Sequence, residues 1–430
     1  MLDLRGASRV ALVVVVLGGL VGGSRAVAQE QSPTATSSPR VGPRRYYVEL
    51  ITMGPGDLLF ARFAHNAIRV RDRERRTDRV FNWGTFAFGP DFAWKFVKGH
   101  AMYWLSTQAF QDTLEIYASH DRYVIGQVLD LTDAEAEDLV ARIERNLRPE
   151  HRQYRYHHFD DNCSTRVRDL LDTVTHGALR RSVPGMTDRS FRQTAYQTLG
   201  TELWLVGFLD IFANQRFDRV MSRWDELFLP ERLHDAAKRV RVPRGNGGSR
   251  PLVILERRYV ERQAPPPRRE PPPVRPTWVL FGALAVMLAL AMAVSARAPR
   301  AARWLGNTGF VLFGLVAGIS GIASLVLWAF TDHADLAWNV NLLSLWPTDI
   351  ALVVLGPRAL GARRRHAALL FRYLAVHAVV TFGTVVVALA GLVRQDVGPV
   401  AVPVLGLVGA AALLAWGRTR GAEPVSAAAR

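Results

Sequence analysis

Hydrophobic positions along the chain follow two regimes separated by a proline-rich stretch. From Tyr46 to about Glu261 apolar residues come in short runs broken by charge, and from residue 277 onward they come in long blocks. In the first regime Tyr46-Tyr-Val-Glu-Leu-Ile-Thr52 has the aromatic and β-branched alternation of a strand, and Gly54-Pro-Gly-Asp57 reads as a turn. A second strand is predicted around Ala67-Ile-Arg-Val70, with His65 at its entrance, and a third over Arg79-Val-Phe-Asn-Trp83, ending at Gly84. Asp91 to Lys98 predicts a short amphipathic helix and Arg122 to Leu131 a strand. Thr132-Asp-Ala-Glu135 has the spacing of a capping box, opening a helix that runs to about Leu147. After the polar and aromatic run Tyr154 to Asn162, the apolar positions Val167, Leu170, Leu171 and Val174 mark one face of a helix beginning at Cys163. Asp161 or Asn162 would cap it.

The second regime contains apolar blocks near 277–295, 308–330, 343–356, 368–393 and 399–417, mostly long enough for transmembrane helices. The expected architecture is an α+β exported domain followed by an all-α transmembrane bundle of about five helices. The third block is the shortest and carries Pro347 and Asp349. At the N-terminus Arg5 and Arg9 precede the apolar run Val10 to Val21, and Ala26-Val-Ala28 supplies a small-x-small cleavage signal, so residues 1–28 read as a signal peptide. Residues 29–44 read as a disordered leader, 45–262 as the exported domain, 263–276 as a Pro/Arg-rich linker, 277–417 as the membrane domain and 418–430 as a cytoplasmic tail.

Loop charge supports this topology, because Lys and Arg near helix ends stay on the cytoplasmic side. With residues 29–276 outside, the inside loops carry Arg297, Arg300 and Arg303, then Arg358 and Arg363 to Arg365, and the tail carries Arg418 and Arg420. The outside loops carry Asp332, His333 and Asp335, or Arg394, Gln395 and Asp396. The formal charge of +16 would suggest a nucleic-acid partner in a cytosolic protein, but an exported domain meets none. Part of the excess belongs to the inside loops. The remainder, Arg71 to Arg79, Arg239 to Arg244, Arg268 and Arg269, suits either a domain held near anionic head groups or a solubilised surface.

The chain has one cysteine, Cys163. An exported thiol with no partner in its own chain, at a helix start, is a nucleophile candidate. The first N–H groups of a helix lack internal partners and its N-terminus is partially positive, which favours thiolate and can hold an oxyanion. An inert buried cysteine is the alternative. A thiol that attacks an ester or amide needs a proton acceptor, and among eleven histidines His65 stands out at the mouth of a strand expected to be central. His157 and His158 lie close to Cys163 in sequence only. Spaced metal ligands, a phosphate loop and a nucleophile elbow are not found, so neither metal nor cofactor is expected.

Taken in order, Phe63-Ala-His-Asn-Ala-Ile-Arg69, Val80-Phe-Asn-Trp-Gly-Thr-Phe86, Lys95-Phe-Val-Lys-Gly99 with Tyr103-Trp-Leu-Ser106, and Tyr154-Arg-Tyr156 leading to Asp161-Asn-Cys-Ser-Thr-Arg-Val-Arg-Asp169 resemble the Lnb N-terminal periplasmic domain family. Asp332-His333, Asn339-Val-Asn341-Leu-Leu and Trp346-Pro347, between two apolar blocks, resemble that family's membrane part. Lnb-type proteins are implicated in N-acylation of bacterial lipoproteins. The order of histidine and cysteine is also similar to the circularly permuted papain-like fold of NlpC-like and lecithin:retinol acyltransferase-like enzymes. The resemblance implies Cys163 as nucleophile and His65 as general base, with Asn82 the candidate that orients the imidazole. Where relatives commonly have Gly-His, this chain has Ala64-His65.

What the resemblance implies is a multi-pass protein of the bacterial inner membrane with its catalytic domain in the periplasm. It would move an acyl chain from a membrane phospholipid, through a cysteine thioester, to the N-terminus of a lipoprotein. His333, Asn339 and Asn341, in an outside loop on the thiol's side, are the expected substrate-binding residues, with helix-end capping as the alternative. Tyr103, Trp104 and Trp204 would line an acyl groove or, more simply, fill a core. A periplasmic cysteine peptidase or amidase acting on cell-wall peptides shares the same pair, and a membrane-anchored binding module would need neither.

Overall fold

The computed structural model describes residues 44–420 except Phe88, 245–246, 296 and 361–363. The expected signal peptide, nearly all of the leader and the tail beyond residue 420 lie outside the described residues. A seven-stranded antiparallel sheet organises the first half of the chain. Its strands are β1 (Tyr46–Met53), β2 (His65–Asp72), β3 (Thr77–Thr85), β4 (Met102–Ala109), β5 (Val124–Leu129), β6 (Gln153–Arg155) and, after two minor hairpin pairs, β7 (Met186–Ser190) with β8 (Val220–Ser222) and β9 (Arg241–Pro243) with β10 (Ser249–Pro251), the edge strand β11 (Val253–Val260). The order across the sheet is β11-β5-β1-β2-β3-β4-β6.

Both faces of this sheet are covered, which is why every residue of β1 from Val48 to Met53 is buried, Glu49 and Thr52 included. Leu50, Ile68, Phe81 and Leu105 face a core completed by the helices Asp133–Leu147, Cys163–Val174 and Pro230–Arg239. Ile51, Met53, Ala67 and Val80 face the helix Phe110–Ser119. Each fully buried aliphatic side chain of this kind contributes roughly 1.5–3 kcal/mol. The capping box opens the Asp133 helix, with Thr132 accepting from the Glu135 N–H and Glu135 accepting from the Thr132 N–H.

Four helices, Pro276–Ala293, Pro299–Phe330, Arg365–Leu389 and Gly398–Gly417, are long and apolar enough to cross a membrane. The third expected block differs. It forms a 3₁₀ turn, Pro347–Ala351, and a nine-residue helix, Leu352–Leu360, interrupted by Pro357. This short segment presses on Gly314, Gly318 and Gly321 of the second span, where a Cβ would fall 2.5–2.9 Å from its backbone. Only glycine permits that approach.

Two membrane loops contact the sheet domain. Asp332 and Asp335 follow the second span directly, and Gln395 and Asp396 precede the last; Asp332 meets the carbonyl of Lys98 and Asp396 meets Asp218. Both loops therefore lie on the side of the bundle that meets the sheet domain. The linker is also strapped down: Arg269 donates to the Arg62 carbonyl and pairs with Glu231, and Arg262 donates to the Pro55 carbonyl.

Candidate active site

β2 and β3 are paired only as far as Ile68 opposite Phe81 at the end where β2 begins. Beyond that, β3 shifts register between Asn82 and Thr85, with Gly84 at φ +89°. The two strands splay, and Cys163 sits at the opening. A Cβ on Gly84 would lie 3.7 Å from the Cys163 Cβ, and the backbone N–H of Asn66 points to the Cys163 sulfur. Cys163 is a free thiol, partly exposed.

Asn162 is the residue that caps the Cys163 helix. Its Oδ1 accepts from the N–H groups of Ser164 at 2.8 Å and Thr165 at 2.9 Å, and Thr165 Oγ1 accepts from the Asn162 N–H at 2.7 Å. This corrects the expectation that several helix-start N–H groups stand free for an oxyanion. The cap occupies two of them, leaving the Cys163 N–H uncapped at the helix start, beside the Asn66 N–H that also points to the sulfur. Ser164 locks the turn from below, its hydroxyl 3.0 Å from Asn66 Oδ1 and 2.7 Å from the Leu227 carbonyl, both buried contacts.

His65 Nε2 lies 3.3 Å from Asn82 Oδ1. The amide oxygen accepts, so Nε2 carries the proton of the neutral ring and Nδ1 keeps the lone pair. Burial, reinforced by the charge of Arg122, lowers the imidazole to about 4 against the opposing Asn82 bond. Burial raises the Cys163 thiol above its usual value, opposed by the N–H groups of Asn66, Ser164 and Cys163 and by Arg122. Both shifts run against a charged thiolate and a charged imidazolium.

Arg122 was not singled out from the sequence. It precedes β5 on the sheet face that carries Val124, Met53 and His65, which pair across β5, β1 and β2. Its Nε donates to the Gly54 carbonyl at 2.7 Å and its guanidinium lies 4.6 Å from the Tyr117 ring. A third side of the site is aromatic: Tyr156 stacks on Tyr103 at 4.4 Å, and both Tyr154 and Tyr156 approach Gly84. The signal for Arg122 was available only as its position in the sheet, which a single sequence does not reveal.

Ala64 has φ +65°. A left-handed conformation there suits glycine, and alanine in that region carries a cost of about 1–2 kcal/mol.

The sequence-predicted residues separate into two groups. Cys163, His65 and Asn82 gather at one end of the sheet. His333, Asn339 and Asn341 lie in the joint between the two domains. The Nδ2 of Asn341 donates to the carbonyls of Asp210 and Ile211 at 2.8 and 3.0 Å, and that of Asn339 to Ile211 at 2.8 Å. These carbonyls end the helix Leu203–Phe212 and lack helical partners, so both amides cap it. His333 Nε2–H donates to the Phe96 carbonyl at 2.7 Å. His157 and His158 both reach Asp335, at 3.0 and 3.2 Å. Among the described residues no group of three or more His, Cys, Asp or Glu side chains could hold a metal ion. Tyr103 is buried, but Trp204, for which a core position was the simpler expectation, is 65% exposed.

Residues 39–194 match the family described as the Lnb N-terminal periplasmic domain, and residues 270–415 match the Lnb transmembrane domain. No curated protein and no solved structure matches the chain.

Proposed function

The chain belongs to the Lnb family, a membrane protein with a periplasmic domain, and from that premise we propose that it is a cysteine-dependent acyltransferase that acylates the N-terminus of bacterial lipoproteins at the inner membrane. The observation that carries this reading is that the thiol end of the sheet is also its membrane-docked end. Residues 102–104 of β4 pair with β6, and Arg155 of β6 reaches Asp332, two residues past the second span. A carbonyl held at the outer membrane surface is therefore the natural substrate. We read the sheet and the Cys163 helix as the permuted papain-like arrangement.

In the first half-reaction the Cys163 sulfur attacks an ester carbonyl of a phospholipid while His65 Nδ1 takes the thiol proton. The oxyanion meets the Cys163 N–H. Collapse breaks the carbon–oxygen bond, His65 returns the proton to the departing lysophospholipid alcohol, and the acyl group remains as a thioester. In the second, the α-amino group of the acceptor attacks the thioester, His65 receives its proton, and the sulfur leaves as an amide forms and is reprotonated. Asn82 holds the ring with Nδ1 toward the thiol, and Arg122 lowers the cost of negative charge on sulfur.

The test is to incubate the full chain in lipid discs with acyl-labelled phospholipid. Wild type should retain a denaturation-resistant label that neutral hydroxylamine removes, Cys163→Ala should retain none, and His65→Ala should label about 10²–10⁴-fold more slowly. In cells, Cys163→Ala should leave lipoprotein N-termini lighter by one acyl chain. Unchanged lipoprotein masses, or cleavage of cell-wall peptides by a chain that never takes up label, would overturn the reading.

A further inference from the structure

Two helices of the periplasmic domain carry large apolar side chains that stay exposed among the described residues, and both are fastened to the ends of the candidate membrane spans. The first is Phe92–Lys98, where Trp94, Phe96 and Val97 are 62%, 50% and 46% exposed. The second is Leu203–Phe212, where Leu203, Trp204 and Phe208 are 53%, 65% and 37% exposed. In a water-facing domain such clusters are uncommon and mark an interaction surface.

Their attachments give their depth. The Lys98 carbonyl accepts from the Asp332 N–H at 3.0 Å and the Phe96 carbonyl from His333 at 2.7 Å. Asp332 and His333 follow Phe330, the last residue of the second span, by two and three positions, so helix 92–98 lies within about 11 Å of that span's end. In helix 203–212 a Cβ on Gly207 would be 3.7 Å from the Cβ of Pro276, the first residue of the first span. Asn339 and Asn341 hold its last carbonyls. Both helices thus lie beside the ends of candidate spans, where the polar layer of a bilayer, a zone roughly 5–8 Å thick on each side of the hydrocarbon, would fall. Their composition suits it: tryptophan favours that layer, and Lys95 and Lys98 can extend toward phosphate, with Lys98 Nζ already 4.9 Å from the Trp94 ring centre.

We propose that helices 92–98 and 203–212 are seated in the outer-leaflet interface as two apolar feet, and that the partner of these surfaces is the lipid bilayer itself. The loop that joins them runs from Asp332 past Asp335 to Asn341, and at Asp335 it meets His157 and His158, which begin the segment leading to Cys163. The thiol-bearing segment consequently meets the membrane between the two feet. This inference rests on the membrane placement and stands apart from the acyl-transfer chemistry.

To test it, full-length protein in lipid discs carries Cys163→Ser and one new cysteine at a time, Trp94→Cys, Val97→Cys, Trp204→Cys or, as a control in the distant β2–β3 turn, Arg76→Cys. Each is labelled with a polarity-sensitive fluorophore, and lipids bearing a nitroxide near the head group serve as quencher. Labels at 94, 97 and 204 should emit at shorter wavelength and lose at least half their intensity to the quencher, while the label at 76 changes little. Emission at 94 and 204 as water-like and unquenched as at 76 would overturn the proposal. So would shielding that appears only when an acceptor lipoprotein is added, since the surface would then be a protein-docking face.

Discussion

At the scale of single residues the candidate site is one end of a sheet that opens, where burial lowers the His65 imidazole and raises the Cys163 thiol. Asn82 is bonded to His65 Nε2, so in the proposed reaction, where Nδ1 takes the proton, its contribution is orientation rather than proton transfer. Asn82→Ala should reduce acyl-enzyme formation about 10²-fold, while the reactivity of Cys163 toward a small alkylating agent stays within a few-fold; burst-phase labelling and alkylation rates measure the two. The charge state gives a pH prediction with a definite sign. Burial disfavours both His65 imidazolium and Cys163 thiolate, so the imidazole stays neutral down to about pH 4 and the thiol stays protonated past its ordinary value. The rate of iodoacetamide modification of Cys163 should therefore rise on the alkaline side of an unperturbed cysteine, with no plateau between pH 5 and 8. A low-pKa plateau there would instead reveal a resting ion pair. The nucleophile proposed for this chemistry was legible in the sequence because cysteine is unique in the chain and Asn162 and the apolar spacing mark a helix start. Arg122 and Gly84 were not, because their roles exist only across strands.

At the scale of elements, the strands and helices around the site follow from local chemistry. The capping box at Thr132 and the helix to Leu147 appear where the sequence puts them, and the strands expected near 46–52, 67–70 and 79–83 extend by one or more residues. β4, β6 and the helix Phe110–Ser119 were missed: Met102–Ala109 mixes polar and apolar residues without a clear period, and its pairing with β3 and β6 decides its state. Asn339 and Asn341 show how a polar residue near a membrane can serve structure. Asn341 is fully buried and caps two carbonyls of helix 203–212. Asn341→Ala should cost about 1–3 kcal/mol by leaving them unpaired, seen as a lower midpoint of thermal unfolding in detergent. Faster amide exchange in residues 203–212 should accompany it, and an unchanged exchange pattern would count against the capping role.

At the scale of the molecule, orientation matters most. The turn between β2 and β3, with Arg71, Arg73, Arg75 and Arg76, lies at the end of the strands away from His65, some 23 Å along β2. Because the His65 end is docked to the bundle, this basic turn points away from the membrane. Arg75 pairs with Glu144, and Arg45 with Asp72. Of the two readings of the arginine excess, the structure favours a solubilised surface for this stretch. Replacing Arg75 and Arg76 with Gln should leave acyl-enzyme formation in anionic lipid discs within twofold, even at low salt, where screening is weakest.

Sequence alone determined the two solvents of the chain, the helix beginning at its single cysteine and the strand entered by His65. Those are consequences of hydrophobic period and of capping, both of which act over a few residues. Tertiary structure decided the rest: that β2 and β3 part to admit the sulfur, that the third apolar block is a short helix lying on glycines of its neighbour, and that the polar membrane loop fastens two apolar helices at the outer surface. Each depends on contacts between residues far apart in the chain, whose pairing no local pattern encodes.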